Sequence, residues 1–208
     1  MKSEFKQTLK SAYLKEFFLR AKNEIEDSND QPQEVLTKIY TDILYDNGTI
    51  SDYELVFFER EISKSNIKIN GYSFSEEDLR LDLFIAHHDP SEKIQEIKSN
   101  KVQELIETAK DFYFQSTKKL YEKINKKEDA YDISKTIFKN QKDISTVRII
   151  VLTNCECEKT PSMQREGKIE FHNLLFDNKR IFSSSLGGAN STNIRVDFTK
   201  FREKVRCM

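Results

Sequence analysis

The stretch 66-NIKINGYSFSEEDLRLDLFIAHH-88 decides the fold, because it contains two β-prone runs joined by an acidic connection. The second run, from Leu79 to His88, alternates large apolar residues with a second set that includes Asp82. Such alternation predicts a half-buried strand. With a preceding run from Tyr53 to Glu61, the two runs predict a three-stranded antiparallel meander. Asp82 on the other face of a core strand is an arrangement that metal-dependent nucleases use, and it is equally common in ordinary hairpins.

Helical periodicity flanks this meander on both sides. The predicted helices run from Phe5 to Ile25, from Pro32 to Leu44, from Pro90 to about Asn125 and from Tyr131 to Asn140. The cluster Asp46-Asn47-Gly48 separates the second helix from the first strand. We therefore expect a helical pair over residues 1–48 that packs on an α/β domain over residues 49–208, the whole forming one unit.

The run from Val147 to Thr153 is almost entirely apolar and β-branched, which is typical of a central strand buried on both faces. A helical stretch followed by such a strand predicts a crossover connection. Further runs predict a strand over Lys168–Leu175, a short helix over Asp177–Ser184 and an edge strand over Asn193–Phe198. The predicted fold class is α/β, a mixed β-sheet with flanking helices.

Composition excludes several classes of protein. The 208 residues are 37% hydrophobic and 33% charged with a formal net charge of −1, so no global field attracts nucleic acid or membrane. No apolar run approaches the length of a membrane span, and the N-terminus has no signal core. Three cysteines, an odd number, fit a reducing compartment better than a disulfide framework. We expect a cytoplasmic domain.

Several pieces, taken in order, resemble the AIPR family, the abortive-infection phage-resistance proteins of bacteria. The matching pieces are Asn70–Phe74, Leu81–Ile85, Val147–Asn154, Ile169–Asp177, Asp177–Phe182 and Ile194–Phe198. Members of that family are usually longer, so the resemblance implies the N-terminal domain of a member, or a truncated member, that acts in phage defence. A C-terminal region of a longer polypeptide, or a second copy of the chain, would then be a partner.

The resemblance also implies a fold related to restriction endonucleases, whose sites hold Mg²⁺ with an Asp on one strand and a Glu/Gln-x-Lys on the next. That register places Asn70 at the Asp position, and Ile85 and His87 at the Glu/Gln and Lys positions. Ile cannot bind a hard cation, and a neutral amide is a weaker ligand than a carboxylate. The implied core is therefore degenerate. We therefore expect a module that binds or senses nucleic acid or protein in preference to an enzyme, and we expect it to need no cofactor.

A metal-dependent nuclease with a rearranged site is the alternative. Asp82 would then act with Glu59 or Glu61, or with Asp89, from neighbouring strands to hold Mg²⁺. The competing interpretation places these carboxylates on the solvated face of the meander.

Lysines in the second half of the chain form the candidate nucleic-acid contact. Lys119, Lys123 and Lys127 follow one another at four-residue spacing, which predicts one face of the long helix. A phosphate-binding ridge for DNA or RNA has this pattern. A solvated helix face has it too, because acidic residues are interspersed.

Two smaller clusters favour ordinary structural roles. His87 and His88 are adjacent in a predicted strand, so their side chains point to opposite faces and cannot easily share one metal. Cys155 and Cys157 supply two of the four ligands that a structural zinc site needs. We expect a polar strand end and two reduced thiols.

Overall fold

The fold is taken from a computed structural model that describes residues 19, 21–62, 64–75, 77–91, 93–158 and 164–185. Its helices are α1 (21–27), α2 (Pro32–Asp46), α3 (Ser99–Thr117), a 3-10 turn (Leu120–Glu122), α4 (Ala130–Asn140) and α5 (Asn178–Ser185). Its strands are β1 (Tyr53–Ile62), β2 (Ser65–Ser75), β3 (Arg80–His87), β4 (Thr146–Thr153), β5 (Gln164–Glu166) and β6 (Ile169–Phe176).

The strands form one mixed sheet in the order β1-β2-β3-β4-β6-β5. Antiparallel pairing joins β1, β2 and β3, which confirms the predicted meander. Parallel pairing joins β3 to β4 and β4 to β6. The connection from β3 to β4 runs through α3 and α4, so the predicted crossover is also confirmed. The chain has the predicted α/β class.

Helices cover both faces of this sheet and create two apolar cores. One core joins α3 and α4 to Leu81, Leu83 and Ile85 of β3. The other joins α2 and α5 to Phe84 and Ala86 of the same strand. The expectation of a half-buried β3 was therefore wrong, because α2 covers the face that holds Asp82.

The long helix predicted from Pro90 to about Asn125 is shorter at both ends. Before Ser99 the chain is extended, and Glu96 forms a parallel bridge with Glu156. The helix ends at Thr117, and Lys119 has a φ of 63°, which an α-helix cannot accommodate. The helix predicted from Phe5 to Ile25 lies outside the described residues apart from Leu19 and residues 21–25, which are helical, and the edge strand predicted over Asn193–Phe198 lies outside them entirely. Among the residues that the structure describes, no helix is both long enough and apolar enough to span a bilayer.

Gly71 provides a test of the meander's close packing. A Cβ at this position would lie 2.7 Å from the backbone oxygen of Glu54 and 3.0 Å from Cδ2 of Phe84. We expect Gly71→Ala to lower the free energy of unfolding by about 1–3 kcal/mol, as overpacking does elsewhere. Urea denaturation measures this loss. Gly48→Asn is the control, because open space surrounds Gly48 and Asn tolerates its φ of 73°. Equal stability of Gly71→Ala and the wild type would contradict the packing described here.

Candidate functional site

Strands β2 and β3 separate at Asn70. Their pairing runs from Ser75 opposite Arg80 to Gly71 opposite Phe84 and extends no further. Beyond that point the backbone N–H of Ala86 donates to Oδ1 of Asn70 at 2.8 Å. The Asn70 side chain therefore substitutes for the missing backbone acceptor, and it is 3% exposed. A register shift in the β1–β2 pairing between Leu55 and Phe58 accompanies this separation.

An open cleft of about 570 Å³ lies at this end of the meander, and we call it the β2–β3 cleft. Its polar lining includes Gln33, Glu59, Lys68, Asn70 and His88. Nζ of Lys68 lies 2.8 Å from Oε2 of Glu59 and donates to Oε1 of Gln33 at 3.1 Å. The hydrogen bond from Lys68 lowers the pKa of Glu59 against the opposing effect of burial. Lys68 and Glu59 thus largely satisfy each other's charge in the cleft.

The two histidines at the end of β3 are favoured in the neutral form. Burial and the nearby charge of Lys101 lower the pKa of His87. Burial also lowers the pKa of His88, and Asp89 opposes this effect. Hydrogen bonds from Ser91 lower the pKa of Asp89.

The polar residues after β3 and β4 bind each other. The N–H of Asp89 donates to Oδ1 of Asn154 at 2.8 Å, and Nδ2 of Asn154 donates to the carbonyl of Asp89 at 2.7 Å. This reciprocal pair closes the carboxyl end of the parallel strands. It lines a cavity of about 200 Å³ between α1, α2 and the sheet. Cys155 and Cys157 follow in the chain as two buried cysteines.

Asp82 forms a buried ion pair with Arg148 of the neighbouring strand β4. Nε of Arg148 lies 2.6 Å from Oδ1 of Asp82, and Nη2 bonds to Oδ2. Arg148 also donates to the carbonyl of Thr49 at 3.0 Å, and Nε of Arg80 lies 3.5 Å from Asp82 Oδ1. Asp82 is 1% exposed. Its charge is compensated by Arg148 and, at a longer distance, by the partly exposed Arg80.

The three carboxylates of the nuclease alternative are not brought together. Asp82 lies opposite Ser73 of β2, whereas Glu59 and Glu61 of β1 lie opposite Lys68 and Asn66. Those positions on β2 are at least roughly 16 Å apart along the strand. Within the described ranges, no cluster of three or more His, Cys, Asp or Glu residues has the geometry of a metal site. The catalytic role of Asp82, Glu59 and Glu61 stays a prediction that this geometry does not favour.

The lysine ridge does not lie on a helix. Since α3 ends at Thr117, Lys119, Lys123 and Lys127 occupy turns and the residues around the 3-10 segment. All three are exposed, and Nζ of Lys119 lies 3.1 Å from Oε1 of Glu122. Their role in binding nucleic acid stays a prediction, but the shared helical face on which it depended was wrong.

Arg148, the ion-pair partner of Asp82, is the residue that the sequence analysis missed. It is the single charged residue in the run from Val147 to Thr153, which was predicted to be buried on both faces. A charge in such a run requires a buried counter-charge, and Asp82 occupies the corresponding position on β3. The need for a counter-charge was therefore the sequence signal from which the pair with Asp82 could have been predicted.

These observations define an α/β domain with a mixed sheet, a neutralised central carboxylate and a polar cleft where two strands diverge. The family model described as the abortive infection phage resistance protein N-terminal domain matches residues 36–183. The chain belongs to this family. A comparison with curated proteins and one with solved structures gave no match.

The Asp82–Arg148 pair can be tested by a double-mutant cycle. Arg148→Met leaves a buried carboxylate without its main partner, so we expect it to lower the free energy of unfolding by about 3–5 kcal/mol. Asp82→Asn combined with Arg148→Met should cost less than the sum of the two single substitutions. Guanidinium denaturation measures all three. Additive effects would mean that the two side chains do not depend on each other.

The lowered pKa values of His87 and His88 predict a pH dependence of stability. The unfolded chain takes up protons near the ordinary histidine pKa of about 6.5, whereas the folded chain resists protonation until a lower pH. The unfolded state therefore binds more protons in that interval, and the free energy of unfolding should fall as the pH drops below about 6.5. Replacing both residues by Gln should flatten this part of the profile in thermal melts. An unchanged slope in the double variant would contradict the assignment.

Proposed function

We propose that this domain acts in bacterial phage defence as a cytoplasmic module that binds or senses nucleic acid or protein on a nuclease-related scaffold without cutting nucleic acid. Membership of the abortive infection family supports the role in defence. The local geometry supports the absence of cutting.

The single observation on which this proposal depends is the state of the Asn70 side chain. Adjacent strands β2 and β3 provide the positions at which a related nuclease would present its acidic and lysine groups. Asn70 instead offers a neutral amide whose oxygen is already bonded to the Ala86 N–H. Ile85 is buried in the apolar core, and burial lowers the pKa of His87, which favours the neutral ring.

Hard divalent cations require several oxygen ligands, most of them charged. Glu59, which lines the cleft, is paired with Lys68, and Asp82 is paired with Arg148. Releasing either carboxylate for a metal would leave an unbalanced lysine or arginine beside the bound ion. This electrostatic cost argues against the rearranged nuclease and in favour of a binding role.

A nuclease assay tests the proposal directly. Purified protein is incubated with single- and double-stranded DNA and RNA in Mg²⁺, Mn²⁺ or EDTA. We expect no metal-dependent cleavage. Asp82→Asn and Glu59→Gln serve as controls, and circular dichroism verifies that each variant is folded. Cleavage that needs a divalent cation and disappears in folded Glu59→Gln would overturn the proposal in favour of the rearranged nuclease.

A second measurement addresses binding. Fluorescence anisotropy with labelled DNA and RNA at several salt concentrations reports the affinity and its electrostatic part, since phosphate contacts weaken as salt rises. Binding without cleavage is the expected result for a nucleic-acid module. A failure to bind any DNA or RNA at low salt would remove the nucleic-acid half of the proposal. A protein partner would then remain.

A further inference from the structure

Three partly exposed aromatic rings form one continuous surface on the side of the molecule occupied by α3 and α4. The ring centroid of Tyr121 lies 6.2 Å from that of Tyr131 and 5.5 Å from that of Phe138. Tyr121 belongs to the 3-10 turn, and the other two residues belong to α4. Each ring keeps part of its surface in solvent, unlike Tyr113 of α3, which is fully buried.

Lysine ammonium groups lie over two of these rings. Nζ of Lys119 is 5.7 Å from the centroid of Phe138, and Nζ of Lys135 is 5.5 Å from that of Tyr131. The Lys119 side chain is 50% exposed, and the Phe138 ring beneath it is partly exposed. A cation over an exposed ring contributes little and can be displaced. The rings are therefore accessible to a planar ligand.

The spacing along α4 extends this surface. Tyr131, Lys135 and Phe138 recur at intervals of four and three residues, which places them along one side of the helix. Exposed Lys142 follows in the turn after α4. Ala130, Ile133 and Ile137 of the same helix face the core. Exposed Lys123 and Lys139 add charge at the border. We call this set the aromatic–lysine surface. It consists of the rings of Tyr121, Tyr131 and Phe138 and of Lys119, Lys123, Lys135, Lys139 and Lys142.

Positive charge is concentrated in this part of a chain whose net charge is −1. Residues 118–143 contain eight lysines and five carboxylates. One of those carboxylates acts elsewhere, because Glu128 pairs with Arg60 of β1 at 2.8 Å. Glu122 does lie on the lysine side, where it pairs with Lys119. The surface thus has an excess of lysine over acid.

We infer that the aromatic–lysine surface binds single-stranded nucleic acid, with unpaired bases stacked on Tyr121, Tyr131 and Phe138 and phosphates bound by the surrounding lysines. This inference rests on the proposed function and assigns it a surface and a ligand class. Stacking platforms flanked by cations are the usual means of binding single strands without sequence preference.

The aromatic component distinguishes a single strand from the other polyanions. Duplex bases are already stacked on one another, so exposed rings add little affinity for a duplex. An acidic protein would use the lysines and gain little from the rings. The expected ligand is consequently DNA or RNA with unpaired bases, and the expected preference is for the single strand over the matching duplex.

The test uses the whole chain and fluorescein-labelled oligothymidylate, single-stranded RNA and a duplex of mixed sequence. Fluorescence anisotropy gives the dissociation constants between about 50 and 200 mM salt. Tyr131→Leu removes a ring, whereas Tyr131→Phe keeps it. Lys135→Glu combined with Lys139→Glu reverses two charges. Lys38→Glu is the matched charge control, because exposed Lys38 lies on α2 at the opposite face of the sheet.

We expect Tyr131→Leu to weaken single-strand binding about tenfold, as the loss of one base stack does. Tyr131→Phe and Lys38→Glu should bind like the wild type, and the double charge reversal should weaken binding and reduce its salt dependence. Thermal melts verify that each variant is folded, and the charge variants test the surface independently if Tyr131→Leu does not fold.

The outcomes separate this inference from the proposed function. If the wild type binds single strands and the folded surface variants bind equally well, the aromatic–lysine surface is not the binding site, although the proposal of a nucleic-acid-binding module stands. A duplex bound as tightly as the single strand, with no effect of Tyr131→Leu, would also overturn the stacking role. If the wild type binds neither DNA nor RNA, both the inference and the nucleic-acid half of the proposed function fail.

Discussion

The buried ion pair between Asp82 and Arg148 constrains much of the structure around it. It joins β3 to β4 at the centre of the sheet. These two parallel strands are far apart in the sequence, because α3 and α4 lie between them. Arg148 also holds the Thr49 carbonyl, and so anchors the loop between α2 and β1. A slip of one residue in β4 would turn Arg148 to the other face and leave Asp82 unpaired among apolar side chains. The pair therefore fixes register more than it adds stability.

This ion pair also explains why Asp82, which the sequence suggested as a metal ligand, has a structural role in the sheet. A carboxylate on a central strand resembles a metal ligand when it is considered alone. Its arginine partner makes it a structural element, and the polar cleft forms elsewhere, where Asn70 bridges the separating strands. Lys68 and Glu59 neutralise each other in that cleft. Exposed lysines lie instead beyond the end of α3, on a different part of the surface.

Sequence patterns predicted most of the elements, because alternation and helical periodicity report which side chains are buried. The meander, the buried strand from Val147 to Thr153 and the crossover followed from these local signals. The ends of α3 did not, since an extended bridge to Glu156 and the positive φ of Lys119 arise from contacts and backbone geometry that periodicity does not encode. The Asp82–Arg148 pair joins residues 66 positions apart, so it required the strand order. The clustering of Tyr121, Tyr131 and Phe138 likewise depended on the turn after α3.

One buried hydrogen bond has a consequence for how the chain is made. The phenol of Tyr40, in α2, bonds to Oδ1 of Asn178, a residue 138 positions later that begins α5. Tyr40 is fully buried, so its hydroxyl lacks this partner until Asn178 has been synthesised. All six strands precede Asn178, so during translation α2 can pack on β3 and β4 first and completes its contact with α5 only after the whole sheet has been synthesised. The part of α2 that packs on α5 stays exposed during that interval, and transiently exposed apolar surface of this kind promotes aggregation of folding chains.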